Sequence, residues 1–306
     1  MCIRDRSGAS ASYGKYSVFM AASNGFTANY DRSSNSVSCV AIAGEGSGME
    51  RDYDADTRVY QSDLRPSDEI GRTAGLRAVE RLNPRRPATG NYPVIYDERI
   101  SSGLVGHFLS AINGAAITRG SSWLKDSLGE QVLPRTCKLV ENPHRLRAGA
   151  SRLFDSEGLT TKKREILSKG VLKGWTLDLA SARKLGMRPT ANASRNVSSN
   201  PSPTNWNIEL SSPEDYCDNL LSEIRNGLLV TSLIGSTINP NTGDYSRGVS
   251  GFWVEDGQIC YPVSEITIAG NLKDMLKKII LGNDAQRHLS YVVPSILVED
   301  MTLAGS

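Results

Sequence analysis

Apolar and polar positions along the chain change period several times, and each change marks an element. From Lys15 to Gly44 the segments SVFMAAS and SCVAIAG are rich in small and β-branched residues, with Asn24-Gly25 as a hairpin signal before FTANY. This predicts a β-meander, broken at Gly44 to Gly48. After Pro66 the period becomes helical: Ile70, Ala74, Ala78 and Leu82 recur on one face, with Ser67 as the expected N-cap. Pro84 and Pro87 end that helix and mark the expected boundary between two domains, 1–88 and 89–306.

The second domain opens on the strand pattern YPVIY, Tyr92 to Tyr96. A helix follows, with Leu104, Phe108 and Ile112 on one face and Val105 and Leu109 beside them. Between Leu153 and Leu177 turns alternate with a charged stretch, TTKKREIL, and a hairpin is expected over Ser168-Lys169-Gly170. Asn192 to Asn207 is rich in Asn, Ser and Pro and reads as a long loop. Ser212-Pro213 predicts a helix start, with Asp215 in its first turn, Tyr216, Leu220 and Ile224 as its apolar face and Gly227 at its end. Then come the strand LLVTSLIG and two strands joined at Asp256-Gly257, a type I′ hairpin signal. A helix is expected over Leu272 to Leu281, and a last strand over Tyr291 to Leu303. Strands joined by hairpins dominate, so the expected class is α+β, with mostly antiparallel sheets and a few helices in two domains.

Composition narrows the function classes. Among 306 residues, 35 basic and 33 acidic side chains nearly cancel, so there is no electrostatic footprint for nucleic acid. The basic run RLNPRR lies beside prolines and reads as a solvated linker. No apolar stretch is long enough to cross about 30 Å of hydrocarbon, so no membrane partner is expected and a cytoplasmic location is. Cys2, Cys39, Cys137, Cys217 and Cys260 form no CxxC pair and are expected to be buried, reduced thiols. The start, MCIRDRSGAS, does not resemble the beginning of a domain and is expected to be truncated or misassembled.

Candidate chemistry is sparse. A helical zinc protease needs two histidines on one face and a glutamate as base. His107 is followed by Phe108 and, one turn on, by Ala111. His144 and His288 lie in polar surroundings and are expected at the surface. FDSEG reads as a turn. No nucleophile elbow and no phosphate loop is present. The most unusual run is Gly243-Asp244-Tyr245-Ser246-Arg247-Gly248, either a close-approach site for a peptide terminus or a structured turn entering GFWVE.

These residues carry a resemblance. GLVGHFLSAINGAAITRGSSWLKDSLGEQVLP, FDSEGLTTKKREIL, GDYSRGVSGFWVEDGQICYPVSEITIAGNLKDML and the terminal VEDMTLAGS resemble the C-terminal domain of the TldE/PmbA family, over about Asn91 to Ser306. The preceding meander and GLRAVERL helix are similar to that family's middle region, and its N-terminal domain has no counterpart here. The resemblance implies a non-catalytic subunit paired with a TldD-like zinc metallopeptidase subunit that degrades unfolded peptides in a closed chamber. TldD proteins carry HExxxH on the corresponding helix. Aligned by eye, His107 takes the first His, Phe108 the Glu and Ile112 the second His.

Phe cannot accept a proton and Ile cannot bind zinc, so no catalytic or metal residue and no cofactor is expected in this chain, with zinc in the partner. Asn192, Arg195, Asp244, Tyr245, Ser246, Arg247 and His107 lie where the resemblance implies chamber-lining or interface residues. At Pro189 to Asn192 the chain departs from the family's TGN-like run. The alternative from a different class is an independent protein-binding modulator, in line with the family's label as a DNA gyrase modulator. A third is an autonomous peptidase using His107 and Cys260, which no spacing supports.

Overall fold

The structure, a computed structural model, describes residues 5–213 and 215–305. The chain has an α+β architecture in two domains, built mostly from antiparallel sheets. Strands β1 (Asp5–Ala21), β2 (Thr27–Ala43) and β3 (Glu50–Arg58) form the meander, joined at Asn24-Gly25 with Gly25 at φ +88°. The first strand starts ten residues before the expected Lys15. Its early residues, rich in Ser and Ala, carry little apolar signal, and pairing to β2 makes them a strand. Helix α1 (Ser67–Glu80) covers this sheet through Ile70, Ala74, Gly75 and Ala78. Pro66, not Ser67, occupies the cap, and no side chain caps the helix.

Little apolar surface is buried here, because the inward positions of β3 are carboxylates. Asp52, Asp54 and Asp56 are all buried, at the period-two spacing that points side chains to one face. Burying an ionised carboxylate is costly unless it is paired and hydrogen-bonded. Arginines supply the pairing. Asp54 accepts from Arg65 at 2.7 Å and Arg77 at 3.1 Å. Asp52 accepts from Arg81 and Arg99, each at 3.2 Å. Asp56 accepts from Arg58 at 2.8 Å and from the Arg65 amide at 2.9 Å. Arg99 belongs to the second domain, and Arg81 also donates to Ser250 there at 2.5 Å. Burial with salt-bridged partners therefore holds the two domains together.

The connector between the domains is pinned rather than solvated. The Arg85 amide donates to the Pro262 carbonyl at 2.9 Å, its guanidinium lies over Tyr261, and Arg86 pairs with Glu265. Strand β4 (Gly90–Tyr96) and helix α2 (Glu98–Ala111) follow, then α3 (Gly114–Arg119). A sheet follows from β5 (Lys138–Glu141), β6 (Arg164–Ser168) and β7 (Val171–Leu172), the last two closing at Lys169-Gly170, both at positive φ, as the hairpin signal required. Helix α4 (Leu179–Leu185) precedes the Asn192–Asn207 loop, which holds one small pairing, β8 (Ala193–Ser194) with β9 (Ser202–Pro203).

The expected helix at Ser212 is absent. Strand β10 (Ile208–Ser211) pairs with β5. Strand β11 (Tyr216–Cys217) and a 3₁₀ turn at Leu220–Glu223 come next, and strand β12 (Asn226–Ile238) starts before Gly227. Leu220 and Ile224 do face a core, but it is the small cluster with Ile95, Val254 and Leu297. A Cβ at Gly227 would sit 2.5 Å from the Pro93 carbonyl, so this glycine serves close strand approach and not a helix end. Edge pairing of Tyr216 and Cys217 with Leu281 and Gly282 outweighs the local capping signal.

Strands β13 (Asp244–Glu255) and β14 (Gln258–Asn271) turn at Asp256-Gly257, both at positive φ, as expected. Helix α5 (Leu272–Lys277) stops four residues before the expected Leu281, because β15 (Ile279–Gly282) pairs instead with the last strand. That last strand is interrupted at Pro294, giving β16 (Tyr291–Val292) and β17 (Ile296–Ala304). Strands β4, β12, β13, β14 and β17 close into a ring, since β17 pairs with both β14 and β4. Helix α2 lies in one continuous core with this ring and the β5 sheet. The cysteines are more varied than expected: Cys137 is buried, Cys39 and Cys217 are half-buried and Cys260 is exposed, while Cys2 lies outside the described residues.

Asp52→Ala removes one of the two carboxylates that each of Arg81 and Arg99 meets, leaving Glu50 at 3.8 Å from Arg81 and Asp97 at 3.0 Å from Arg99. It is expected to destabilise the chain by about 2 kcal/mol in urea unfolding, the loss of charge-assisted hydrogen bonds. A loss below about 1 kcal/mol would mean that the arginines find water or other partners.

Candidate functional site

Helix α2 is the element on which any metal chemistry would rest. Its start is fixed locally, because the Asp97 side chain accepts from the Arg99 amide at 3.0 Å. Leu104, Val105, Phe108 and Leu109 are buried in the core, and Ile112 at the cap is fully buried with them. Phe108 and Ile112 therefore point into packed apolar surroundings. The less buried side of α2 is Ser102, Gly103, Gly106 and His107. An HExxxH spacing that ends on His107 instead of starting there puts Ser102 at the first His and Gly103 at the Glu. A Cβ at Gly106 would meet open space, and one at Gly103 only Leu233 at 3.9 Å. In either register the base and second ligand are replaced by groups that do neither job.

His107 is half-buried, its ring edge-on to Tyr245 with centroids 6.0 Å apart. Burial first, and then the positive Arg247, hold its pKa below the ordinary imidazole value, which favours the neutral ring. Tyr245 is buried and shares a hydrogen bond with the Tyr96 hydroxyl, which also reaches Met301 Sδ at 3.4 Å. Burial raises both phenol pKa values, so the pair stays protonated. The buried Arg247 Nε has no hydrogen-bond partner. The group is thus His107, Tyr245, Arg247 and Tyr96, a cationic and aromatic cluster. Zinc needs at least three good donors, and a guanidinium beside the only imidazole opposes a cation. Among the described residues no set of three or more His, Cys, Asp or Glu is placed to hold a metal. The side chains present do not fit one.

The expected site residues separate into three places. His107, Tyr245 and Arg247 come together. Asp244 and Ser246 point to the other face of β13, and Asp244 is tied to Thr242 at 2.5 Å and Asn271 at 3.0 Å. Asn192 is fully buried and donates to Glu141 at 2.9 Å and the Thr204 carbonyl at 2.7 Å. It anchors the 192–207 loop, together with the Trp206 amide on the same Glu141 oxygen at 2.7 Å. Arg195 is exposed on that loop. FDSEG is a turn as read, held by Asp155, whose carboxylate accepts from the amides of Glu157, Leu159 and Ala193. His144 is exposed, but His288 is half-buried against Asp56 at 3.4 Å, because the second domain closes over the meander.

Sequence reasoning missed Tyr96, Glu141 and the three aspartates of β3. Asp-x-Asp-x-Asp in a strand was the available signal for the last, since period two places all three on one side.

A β-ring, helix α2 and a meander domain define a metallopeptidase-associated fold, with no metal-binding set of His, Cys, Asp or Glu among the described residues. Residues 89–305 match the PmbA/TldA metallopeptidase C-terminal domain, and residues 2–82 the central domain of the same family. The chain belongs to the PmbA/TldD family. It is 42% identical over 284 residues to the metalloprotease PmbA of Escherichia coli O157:H7, covering 92% of this chain and 61% of that protein. It is 40% identical to the PmbA homologue of Haemophilus influenzae, covering 93% and 61%. The chain thus spans about three fifths of the length of these relatives. A proposed modulator of DNA gyrase from Bacteroides thetaiotaomicron has a similar structure, with a TM-score of 0.87 at 30% identity over 97% of this chain and 66% of that one. TldE from Thermococcus kodakarensis shares the fold, with a TM-score of 0.86 at 20% identity over 97% and 69%.

At the start of α2, burial pushes Glu98 up to about 7, and Asp97 and Asp284 add to the shift. A raised carboxylate keeps its proton in the folded chain between about 4.5 and 7, where the unfolded chain releases it. Stability from this group therefore grows as pH falls through that window, and its buried anion is a cost above it. Glu98→Gln is expected to raise the melting temperature at pH 8, with the gain shrinking toward zero near pH 4.5. A gain that does not vary with pH would show that Glu98 is not the titrating group.

Proposed function

We propose that this chain is the non-catalytic subunit of a two-subunit zinc metallopeptidase of the TldD/TldE type that degrades unfolded peptides. The observation that carries this reading is the helix α2, whose less buried side presents Ser102, Gly103 and His107 beside Arg247, with no metal-binding set among the described residues. Zinc then belongs to a TldD-like partner, and this chain contributes wall and positioning. The division of the chain at residue 88 and a cytoplasmic location belong to the same reading. Its support is the family membership, the name metalloprotease given to the bacterial relatives, and the absence, among the described residues, of a helix long and apolar enough to cross a membrane.

His107 and Arg247, both half-buried beside the buried Tyr245, are the side chains best placed to face bound peptide, with Arg195, Asp244 and Ser246 as further candidates. Strand β1 has an unpaired edge among the described residues, and an extended peptide can add to such an edge with little sequence preference. The second reading, an independent modulator that binds another protein, draws on the description of the Bacteroides relative.

Co-expression with a TldD-like subunit is expected to give a complex with one zinc per pair and peptidase activity. The chain alone is expected to bring down less than a tenth of an equivalent of zinc by mass spectrometry and to cleave nothing. One equivalent of zinc in the isolated chain, lost in His107→Ala, would sink the proposal. Recovery of gyrase without any TldD-like protein would favour the modulator.

A further inference from the structure

The two domains leave an open groove between the β1–β2 ribbon and the 142–153 loop that joins β5 to β6. One part encloses about 500 Å³ and an adjoining part about 420 Å³, and they share Tyr30, Arg32 and Arg147. Its charge is one-sided. Lys15, Arg32, Arg145, Arg147 and Arg152 line the larger part, where Asp31 is the single carboxylate, and no carboxylate lines the smaller part. Asp31 already accepts from Ser17 at 2.7 Å. This contrasts with the +2 balance of the whole chain.

The arginines fall into two kinds. Arg147 is satisfied, with both Asp63 oxygens at 2.7 and 2.8 Å from its Nη1 and the Tyr60 ring beneath it at 5.0 Å. Its backbone sits at φ +56°, a conformation a bulky residue adopts only when its surroundings impose it. The other three have capacity left. Arg152 lies flat on Trp206 at 3.6 Å, and its buried Nε has no partner. Arg145 gives Nη2 to the Arg287 and Leu289 carbonyls, while its buried Nη1 has none. The Arg32 side chain makes no hydrogen bond or ion pair among the described residues. Burial lowers the pKa of both Arg145 and Arg152, outweighing the opposing pull of Glu209 on the first and of Tyr30 and Asp155 on the second.

We propose that this groove binds the C-terminal carboxylate of a peptide, with Arg32 as its principal partner and Arg145 and Arg152 supplying the surrounding field. A free guanidinium takes a carboxylate through two parallel hydrogen bonds. The rest of the lining suits the terminal residues of a peptide: Tyr30 and Tyr60 beside Val59, with Leu146 and Leu153 exposed at 91% and 61%. The choice of a peptide as the carrier of the carboxylate rests on the function proposed above. The recognition itself needs neither zinc nor a second subunit.

The test is fluorescence anisotropy on the full chain with a labelled Ala-Ala-Ala-Ala-Leu peptide, as the free acid and as the C-terminal amide. Arg32→Gln, which breaks no side-chain hydrogen bond or ion pair among the described residues, is compared with wild type, and Arg119→Gln, outside the groove, controls for net charge. The free acid is expected to bind about tenfold or more tighter than the amide, a preference lost in Arg32→Gln and kept in Arg119→Gln. Equal binding of acid and amide, or an unchanged preference in Arg32→Gln, overturns the proposal. Competition by inorganic phosphate as strong as by acetate would make this a phosphate site and overturn it too. Because the isolated chain is used, a negative result leaves the zinc and co-expression experiment untouched.

Discussion

The fold depends on a ladder of buried charge. Asp52, Asp54 and Asp56 occupy the positions where a strand facing a helix would ordinarily carry valine or isoleucine. Arginines from α1, from the segment before it and from α2 converge on them. Such a network is weaker evidence for stability than apolar packing would be, but it is more demanding in geometry. Each aspartate must find its arginine, and one of those arginines sits on α2. The meander thereby fixes the rotation of the second domain, and with it the width of the groove between them.

The same constraint explains why chemistry is missing where a metallopeptidase would have it. Helix α2 is fixed at its start by Asp97 and by Arg99 on Asp52, and its apolar side is locked into the common core. Only one side remains for function. On that side small residues and an imidazole stand beside a guanidinium, an arrangement that opposes a bound cation.

Two further buried carboxylates organise loops by the same means. Glu141 gathers Asn192, Asn205, Trp206 and Arg164, and Asp155 gathers three backbone amides. A loop as polar as 192–207 has little apolar content beyond Ala193 and Trp206 to hold it, so hydrogen bonds to a buried anion supply much of its order. Asn192, expected to line a chamber or an interface, is one of the residues that hold this loop.

The sequence by itself determined the elements whose signals are local. The helical period of α1 and α2, the Asp256-Gly257 and Lys169-Gly170 turns and the FDSEG turn were all legible, because turn chemistry and side-chain period act within a few residues. So was the lack of a base and a second ligand after His107. Tertiary structure decided what depends on distant partners. Ser212-Pro213 carries a good helix start, yet Tyr216 and Cys217 become an edge strand because β15 lies ready to pair with them. Cys260 is exposed and His288 is half-buried, since exposure is set by which domain closes over which. Asp52 and Asp54 meet their arginines only where α1, its flanking residues and α2 close over the strand, while Asp56 meets Arg58 of its own strand, for a strand pattern states which residues share a face but not what that face meets.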